Sequence, residues 1–227
     1  MKALVLFSGG LDSTTALALA ISKYGKGNVI ALSIFYGQKH QKEIEASNKI
    51  ASYYGIEHLY LDLTKIFAYS NCSLLSKNDI EIPKGDYETQ LENNNHQVLS
   101  TYVPFRNGLF LSSAASIAIS KDCDIIYYGA HSDDSREAYP DCSPEFTEAI
   151  NQAIYLGSGK KLKVVGPFVG LHKKDIVRIG TELKVPYELT WSCYEGHDKA
   201  CGKCGTCIDR IKAFEANNLK DPIEYEE

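Results

Sequence analysis

The sequence predicts an α/β protein, an open parallel sheet with helices on both faces, followed by a small helical subdomain organised by cysteines. Short apolar runs rich in β-branched residues alternate with stretches of helical periodicity along most of the chain. A glycine turn, Ser8-Gly9-Gly10-Leu11-Asp12-Ser13, separates the first apolar run from the first helical stretch. Four cysteines crowd between Cys193 and Cys207.

Taken in order, the strands are expected at Ala3-Phe7, Val29-Phe35, His58-Leu61, Ile125-Tyr128 and Leu162-Val165. The helices between them are expected at Asp12-Tyr24, His40-Tyr54, Arg106-Ser120, Pro144-Leu156 and Lys173-Leu183. Right-handed crossovers would bring every strand-to-helix loop to one edge of a Rossmann-like sheet, where such folds bind ligands at the reversal of strand order. The loops destined for that edge are Ser8-Ser13, Tyr36-His40, Gly129-Cys142 and Gly166-Lys173. Residues 72–100, with NNN, a KGD turn and few residues suited to a core, read as a long excursion that could act as a lid. The main α/β domain is placed at 1–190. A cysteine-bearing helical subdomain occupies 191–227, with a helix near Thr206-Ala216 and an acidic tail.

Bulk properties narrow the function classes. The 227 residues are 44% apolar and 23% charged, ordinary for a globular protein. A net charge of −5 without any basic stripe argues against direct nucleic-acid binding. No apolar stretch approaches the ~20 residues of a membrane span, and no secretory core follows Lys2, so a cytoplasmic protein is expected.

The glycine turn has the makings of an anion site. Backbone N–H groups around Gly9 and Gly10 can converge on a phosphate, the helix that follows contributes its positive end, and the hydroxyls of Ser8, Ser13 and Thr14 can add to them. The turn lacks the Gly-Lys-Ser/Thr of a Walker loop and the spacing of a dinucleotide fingerprint. The plainer alternative is a tight turn in which Asp12 or Ser13 caps the helix. Asp12 puts a carboxylate beside such an anion, which is repulsive unless a cation lies between them.

The cysteine pattern, C-x7-C-x2-C-x2-C over Cys193, Cys201, Cys204 and Cys207, can close a tetrahedral Zn²⁺ shell with no open position, a structural site. An iron–sulfur cube could use the same thiolates, and His197 could replace one of them. Cys72, Cys123 and Cys142 are scattered and read as structural.

The string Phe7-Ser8-Gly9-Gly10-Leu11-Asp12-Ser13 resembles the pyrophosphate loop of the N-type ATP pyrophosphatases. Further stretches sharpen the likeness: Tyr36-Gly37-Gln38-Lys39-His40, Thr101-Tyr102-Val103-Pro104-Phe105-Arg106-Asn107, Tyr139-Pro140-Asp141-Cys142, Leu171-His172-Lys173-Lys174-Asp175 and Thr190-Trp191-Ser192-Cys193. Together they resemble the 7-cyano-7-deazaguanine synthases of the queuosine pathway, from Phe7 to Cys207.

The resemblance implies ATP and Mg²⁺, pyrophosphate release, and conversion of 7-carboxy-7-deazaguanine and ammonia to the nitrile through adenylated acid and amide. It implies nucleotide binding along Phe7, Ser8, Gly9, Gly10, Leu11, Asp12, Ser13, Thr14, Thr15, Ala16 and Leu17. Asp12, Lys173 and Arg106 become candidate catalytic residues, with Lys173 neutralising pyrophosphate; the plainer readings are an exposed lysine at a helix start and a surface ion pair for Arg106. Arg106, Asp133, Tyr139, Pro140 and Asp141 become candidate substrate contacts. Tyr139 would stack on the deazapurine, and Asp133, Asp134 or Asp141 would accept from its N1–H and 2-amino edge. Free ammonium and a homodimer are also implied. The family more often has glycine where Phe105 stands, which reduces backbone freedom there, and the 72–100 excursion is longer than the family needs. A tRNA thiolase, another amidating synthetase, a nucleotide sensor or a nucleic-acid-binding zinc module are the competing readings.

Overall fold

The computed structural model describes residues 1–39, 41–95, 97–132, 139–195 and 198–226. Its sheet is built from β1 (Ala3–Leu6), β2 (Val29–Phe35), β3 (Glu57–Asp62), β4 (Ile125–Tyr127) and β5 (Lys163–Val165). The strands are all parallel, in the order β3-β2-β1-β4-β5. The main helices are α1 (Leu11–Tyr24), α2 (Lys42–Tyr54), α3 (Thr64–Phe67), α4 (Tyr87–Asn93), α5 (Arg106–Ser120), α6 (Pro144–Gly157), α7 (Lys173–Glu182) and α8 (Gly205–Glu215). The expected strands and helices are all present, with ends moved by one or two residues; α2 starts at Lys42, and His40 lies outside the described residues.

β1 explains why the sheet is a two-faced core. Its four residues are buried, but alternate side chains serve opposite layers because the strand period is two. Ala3 and Val5 pack with Leu17 of α1, Ile176 and Val177 of α7 and Phe214 of α8. Leu4 and Leu6 pack on the other face with Leu111 and Ala114 of α5 and Ile154 of α6. Strands buried on both sides read as continuous apolar runs, and each such side chain contributes about 1.5–3 kcal/mol.

The order of strands reverses between β1 and β4. β2 and β3 extend one way from β1 and β4 and β5 the other, so the loops after β1 and β4 diverge and leave a crevice at their C-terminal ends.

A third core corrects the reading of residues 72–100. Cys72, Leu74, Leu75 and Ile82 are buried with Tyr36, Phe67 and the four clustered cysteines, while Tyr87, Leu91 and Leu99 join the α5 layer. Antiparallel bridges Gln38↔Leu75 and Lys84↔Cys204 tie the segment to the end of β2 and to the cysteine cluster. Asp86 caps α4 by accepting from the Thr89 N–H at 2.9 Å. The segment is therefore packed at both ends, its core residues being dispersed singly among polar ones.

Arg210 of α8 is 1% exposed and anchors the end of the chain. Its Nε donates to Asp221 Oδ2 at 2.7 Å and its Nη2 to Asp221 Oδ1 at 3.0 Å, a bidentate pair. Nη1 donates to Thr190 Oγ1 at 2.7 Å, and Tyr225 donates its hydroxyl proton to Asp221 at 2.6 Å. Among the described residues no helix is long and apolar enough to cross a membrane.

Candidate active site

The crevice at the strand reversal is a cavity of about 240 Å³ lined by the first loop, the end of β2, the start of α2 and α5, the end of β4, Lys173 and the segment Trp191–Tyr194. Its geometry starts from Gly9, whose φ of +84° favours glycine. A Cβ there would lie 2.5 Å from the Glu43 carbonyl oxygen and the Ser47 nitrogen, so α2 presses on the loop backbone. Gly10, by contrast, has φ −77° and serves as the N-cap of α1 with no side-chain cap. Neither Asp12 nor Ser13 caps α1, so the first N–H groups of α1 face the crevice without a side-chain acceptor. Ser8 and Ser13 hold the turn: their Oγ atoms are 3.1 Å apart, and the Ser8 and Gly10 N–H groups donate to Ser13 Oγ and Ser8 Oγ, each at 3.2 Å.

The residues read as nucleotide-binding divide at Thr14. Phe7, Ser8, Gly10, Leu11, Asp12 and Ser13 line the cavity. The Thr14 hydroxyl donates to Gly10 O at 2.7 Å and that of Thr15 to Leu11 O at 2.9 Å, while Ala16 and Leu17 are fully buried in the core. These four shape the first turns of α1 and do not line the cavity.

Asp12 sits between Lys173 and His131. Lys173 Nζ lies 3.8 Å and His131 Nε2 3.6 Å from its Oδ2. Burial opposes its charge, yet Lys173 and His131 outweigh burial and lower its pKa to about 2, so it is ionised. Among the described residues its other oxygen, Oδ1, is buried with no hydrogen-bond partner. An ionised carboxylate with one buried oxygen uncommitted, beside free helix N–H groups, fits a divalent cation accompanying a polyphosphate. Lys173, 7% exposed, opens α7 and points into the site, unlike an exposed lysine at a helix start. The sequence reading had passed over His131; its signal was a histidine in the loop after β4, at the reversal of strand order.

Arg106 opens α5 on the opposite wall. Its guanidinium lies 5.6 Å from the centre of the Tyr36 ring and 6.0 Å from that of Phe110. Burial opposes its charge, but Tyr36 and Asp141 raise its pKa further, so it is a permanent cation in the cavity wall rather than half of an exposed pair. Phe105 before it takes the left-handed conformation, φ +53°, and its ring lies over Gly108.

Tyr139, Pro140 and Asp141 do not line the cavity. The Tyr139 hydroxyl pairs with Thr101 Oγ1 at 2.6 Å, and its ring meets Tyr87 edge-on. Asp141 Oδ2 accepts the Asn107 N–H at 2.8 Å, and Asp141 O accepts from Asn107 Nδ2 at 3.1 Å. The pair thereby fixes the first turn of α5 and, through it, Arg106. Asp133, Asp134 and His197 lie outside the described residues.

The C-terminal segment completes the wall. The Trp191 N–H donates to Gly9 O at 3.0 Å, and its indole N–H donates to Cys193 O at 2.8 Å. The sulfurs of Cys193, Cys201, Cys204 and Cys207 are buried and lie within 4.8 Å of one another, a set that could hold a metal ion. Backbone N–H groups support them: Cys201 and Glu195 donate to Cys193 Sγ, and Lys203 and Cys204 to Cys201 Sγ, at 3.3–3.4 Å. Cys204 is pushed toward thiolate because Cys193 and Cys207 donate to it.

A parallel sheet reversed at a glycine loop, with a cysteine cluster closing the crevice, defines a Rossmann-like α/β protein with a candidate metal centre. Solved structures agree on the fold. A U34-tRNA thiolase from Methanococcus maripaludis, described with its [4Fe-4S] cluster, aligns at a TM-score of 0.52 and 16% identity, covering 96% of this chain and 67% of that one. An NMN synthetase from Francisella tularensis aligns at 0.52 and 14%, covering 96% and 78%. The family model described as queuosine biosynthesis protein QueC matches residues 2–218, and the chain belongs to that family. Relatives named 7-cyano-7-deazaguanine synthase include those of Pseudoalteromonas atlantica, 41% identical over 99% of both chains, and Caldicellulosiruptor bescii, 44% identical over 100% of this chain and 98% of that one. A third, from Archaeoglobus fulgidus, is 43% identical over 100% of this chain and 91% of that one.

Proposed function

We infer that the protein converts 7-carboxy-7-deazaguanine and ammonia into 7-cyano-7-deazaguanine, consuming ATP through two adenylations. The observation that carries this reading is Asp12, ionised beside Lys173 and His131 at the mouth of a glycine loop whose helix N–H groups face the crevice. The β- and γ-phosphates would rest on the loop and the start of α1, with Lys173 taking up the charge that develops on pyrophosphate. Mg²⁺, held by Asp12, would supply charge neutralisation of the triphosphate. Arg106 would clamp the carboxylate of the acid, on the wall opposite Lys173. The acid's oxygen attacks the α-phosphate, ammonia displaces AMP to give the amide, and a second adenylation of the amide oxygen precedes loss of AMP to the nitrile.

The cysteine cluster is assigned to structural zinc. Four sulfurs around one ion at about 2.3 Å lie about 3.8 Å apart, which fits the compact set here better than the wider spread around a cube. The 191–227 segment then acts as a zinc subdomain on a 1–190 domain, in a cytoplasmic homodimer using free ammonium.

Incubation with the acid, ammonium, ATP and Mg²⁺ should yield the nitrile, AMP and pyrophosphate by mass spectrometry. ADP in place of AMP would remove the adenylation chemistry, and absence of the nitrile would remove the function. Elemental analysis of fresh protein should find about one zinc per chain, and light scattering should give the mass of two chains.

A further inference from the structure

One ionisable group in the cavity has no part in the chemistry above. Glu43, in the first turn of α2, lines the cavity with Tyr36, Arg106 and Asn107. Its backbone is pressed against the nucleotide loop, since its carbonyl oxygen would meet a Cβ on Gly9 at 2.5 Å. This contact sets the first turn of α2, and with it the Glu43 backbone, against the loop. The ionisable groups around it are Arg106 from α5, Tyr36 and Lys39 after β2, Tyr194 after Cys193, and Asp12 and Lys173 across the cavity. Lys42 on its own helix is engaged elsewhere, 3.5 Å from Asp198 and over the Trp191 ring.

We propose that Glu43 is the proton acceptor for the two steps at nitrogen. This rests on the nitrile-forming reading. In the first step the ammonia nitrogen bonds to the acyl carbon, the C–O bond to AMP breaks with its electron pair leaving on phosphate, and the surplus N–H proton goes to Glu43. In the second, the O-adenylated amide, C(OAMP)=NH2⁺, first gives one N–H proton to Glu43, which passes it to solvent. The C–O bond to AMP then breaks with its electron pair leaving on phosphate while the remaining N–H bond supplies the electron pair of the new C–N π bond, and that proton goes to Glu43. The amide nitrogen carries two protons and the nitrile none, so a base is needed twice there, whereas adenylation of the carboxylate oxygen needs none. Burial pushes the Glu43 carboxyl up to about 7, against the pull of Arg106, which suits a group that must take and return protons near neutrality.

The test separates the oxygen steps from the nitrogen steps. Glu43→Gln should keep acid-dependent exchange of pyrophosphate into ATP, measured without ammonium, within about twofold of wild type. Nitrile formation should fall by about 10²-fold or more, and the limb of the rate profile near pH 7 should vanish. Glu43→Asp, which retains a carboxylate, should keep that limb at a reduced rate, and it serves alone if the glutamine variant does not fold. An unchanged nitrile rate in Glu43→Gln, an equal loss of exchange and nitrile formation, or loss of the limb in Glu43→Asp would overturn the proposal. If the wild-type protein forms no nitrile, the underlying reading fails; if it does and the variants behave as just described for failure, only the role of Glu43 is lost.

Discussion

Gly9→Ala tests the central piece of architecture, the pressing of α2 on the glycine loop. At φ +84° an alanine costs about 1–2 kcal/mol relative to glycine. Its Cβ would also stand 2.5 Å from both Glu43 O and Ser47 N, about 0.9 Å short of ordinary contact, and both obstacles are backbone that cannot swing aside. Overpacking of this kind costs about 1–3 kcal/mol. The combined destabilisation should be about 2–5 kcal/mol, lowering Tm by roughly 2–4 °C per kcal/mol in a chain of this size. A loop pushed off by about 1 Å should also lose on the order of 10²-fold in ATP-dependent AMP formation. Gly10→Ala is the control: φ is −77°, and its Cβ would meet Ser8 Oγ at 3.2 Å and Trp191 O at 3.4 Å. Thermal unfolding and AMP release measured on both should set Gly9→Ala far below Gly10→Ala. Equal behaviour of the two would refute the assignment of strain and contact to Gly9.

Asp221→Ala strands the buried Arg210 guanidinium and should cost about 3–5 kcal/mol by urea unfolding, while the double replacement Arg210→Met with Asp221→Leu should cost less. Cys204→Ser should lower the metal content and also weaken ATP binding measured by calorimetry, because Trp191 joins the cluster to Gly9 O; loss of metal with unchanged ATP affinity would contradict that coupling. His58 donates from Nε2 to Ser33 Oγ at 2.7 Å, Ser33 donates to Phe7 O at 2.6 Å, and burial pushes the imidazole down to about 4. The folded state then binds fewer protons than the unfolded between about pH 6.5 and 4, so stability falls as pH drops through that window, by on the order of 1 kcal/mol once solvent screening of this half-buried ring is counted. His58→Gln should flatten the fall, as read from denaturant midpoints at pH 7 and pH 4.5.

Where the sequence was most legible, one physical requirement acted on consecutive residues. β1 and β2 must be apolar on both faces, so β1 appears as an unbroken run and β2 as one interrupted only by the hydrogen-bonded Ser33. The four cysteines must reach one point, so their spacing is short. Residues 72–100 were misread as poor in core because Leu75, Ile82, Tyr87 and Leu91 are buried from an irregular path that has no period to detect. His131 and Glu43 were missed for a related reason. A lone histidine in a polar loop and an acid in the first turn of a helix are ordinary in sequence, and only the sheet reversal brings His131 to within 3.6 Å of Asp12, while the packing of α2 on Gly9 brings Glu43 to the cavity wall. Tyr139 and Asp141 illustrate the opposite case: residues quoted in a recognised motif turn inward to hold Thr101 and Asn107.

The bond from the Trp191 N–H to Gly9 O joins positions about 180 residues apart in the chain. During synthesis the glycine loop leaves the ribosome long before the Trp191 segment that supplies its wall, and the cysteines that hold that segment follow later still. A nascent chain therefore cannot complete the crevice until Trp191 and the cysteines have emerged, and a chain ending before them would lack that wall.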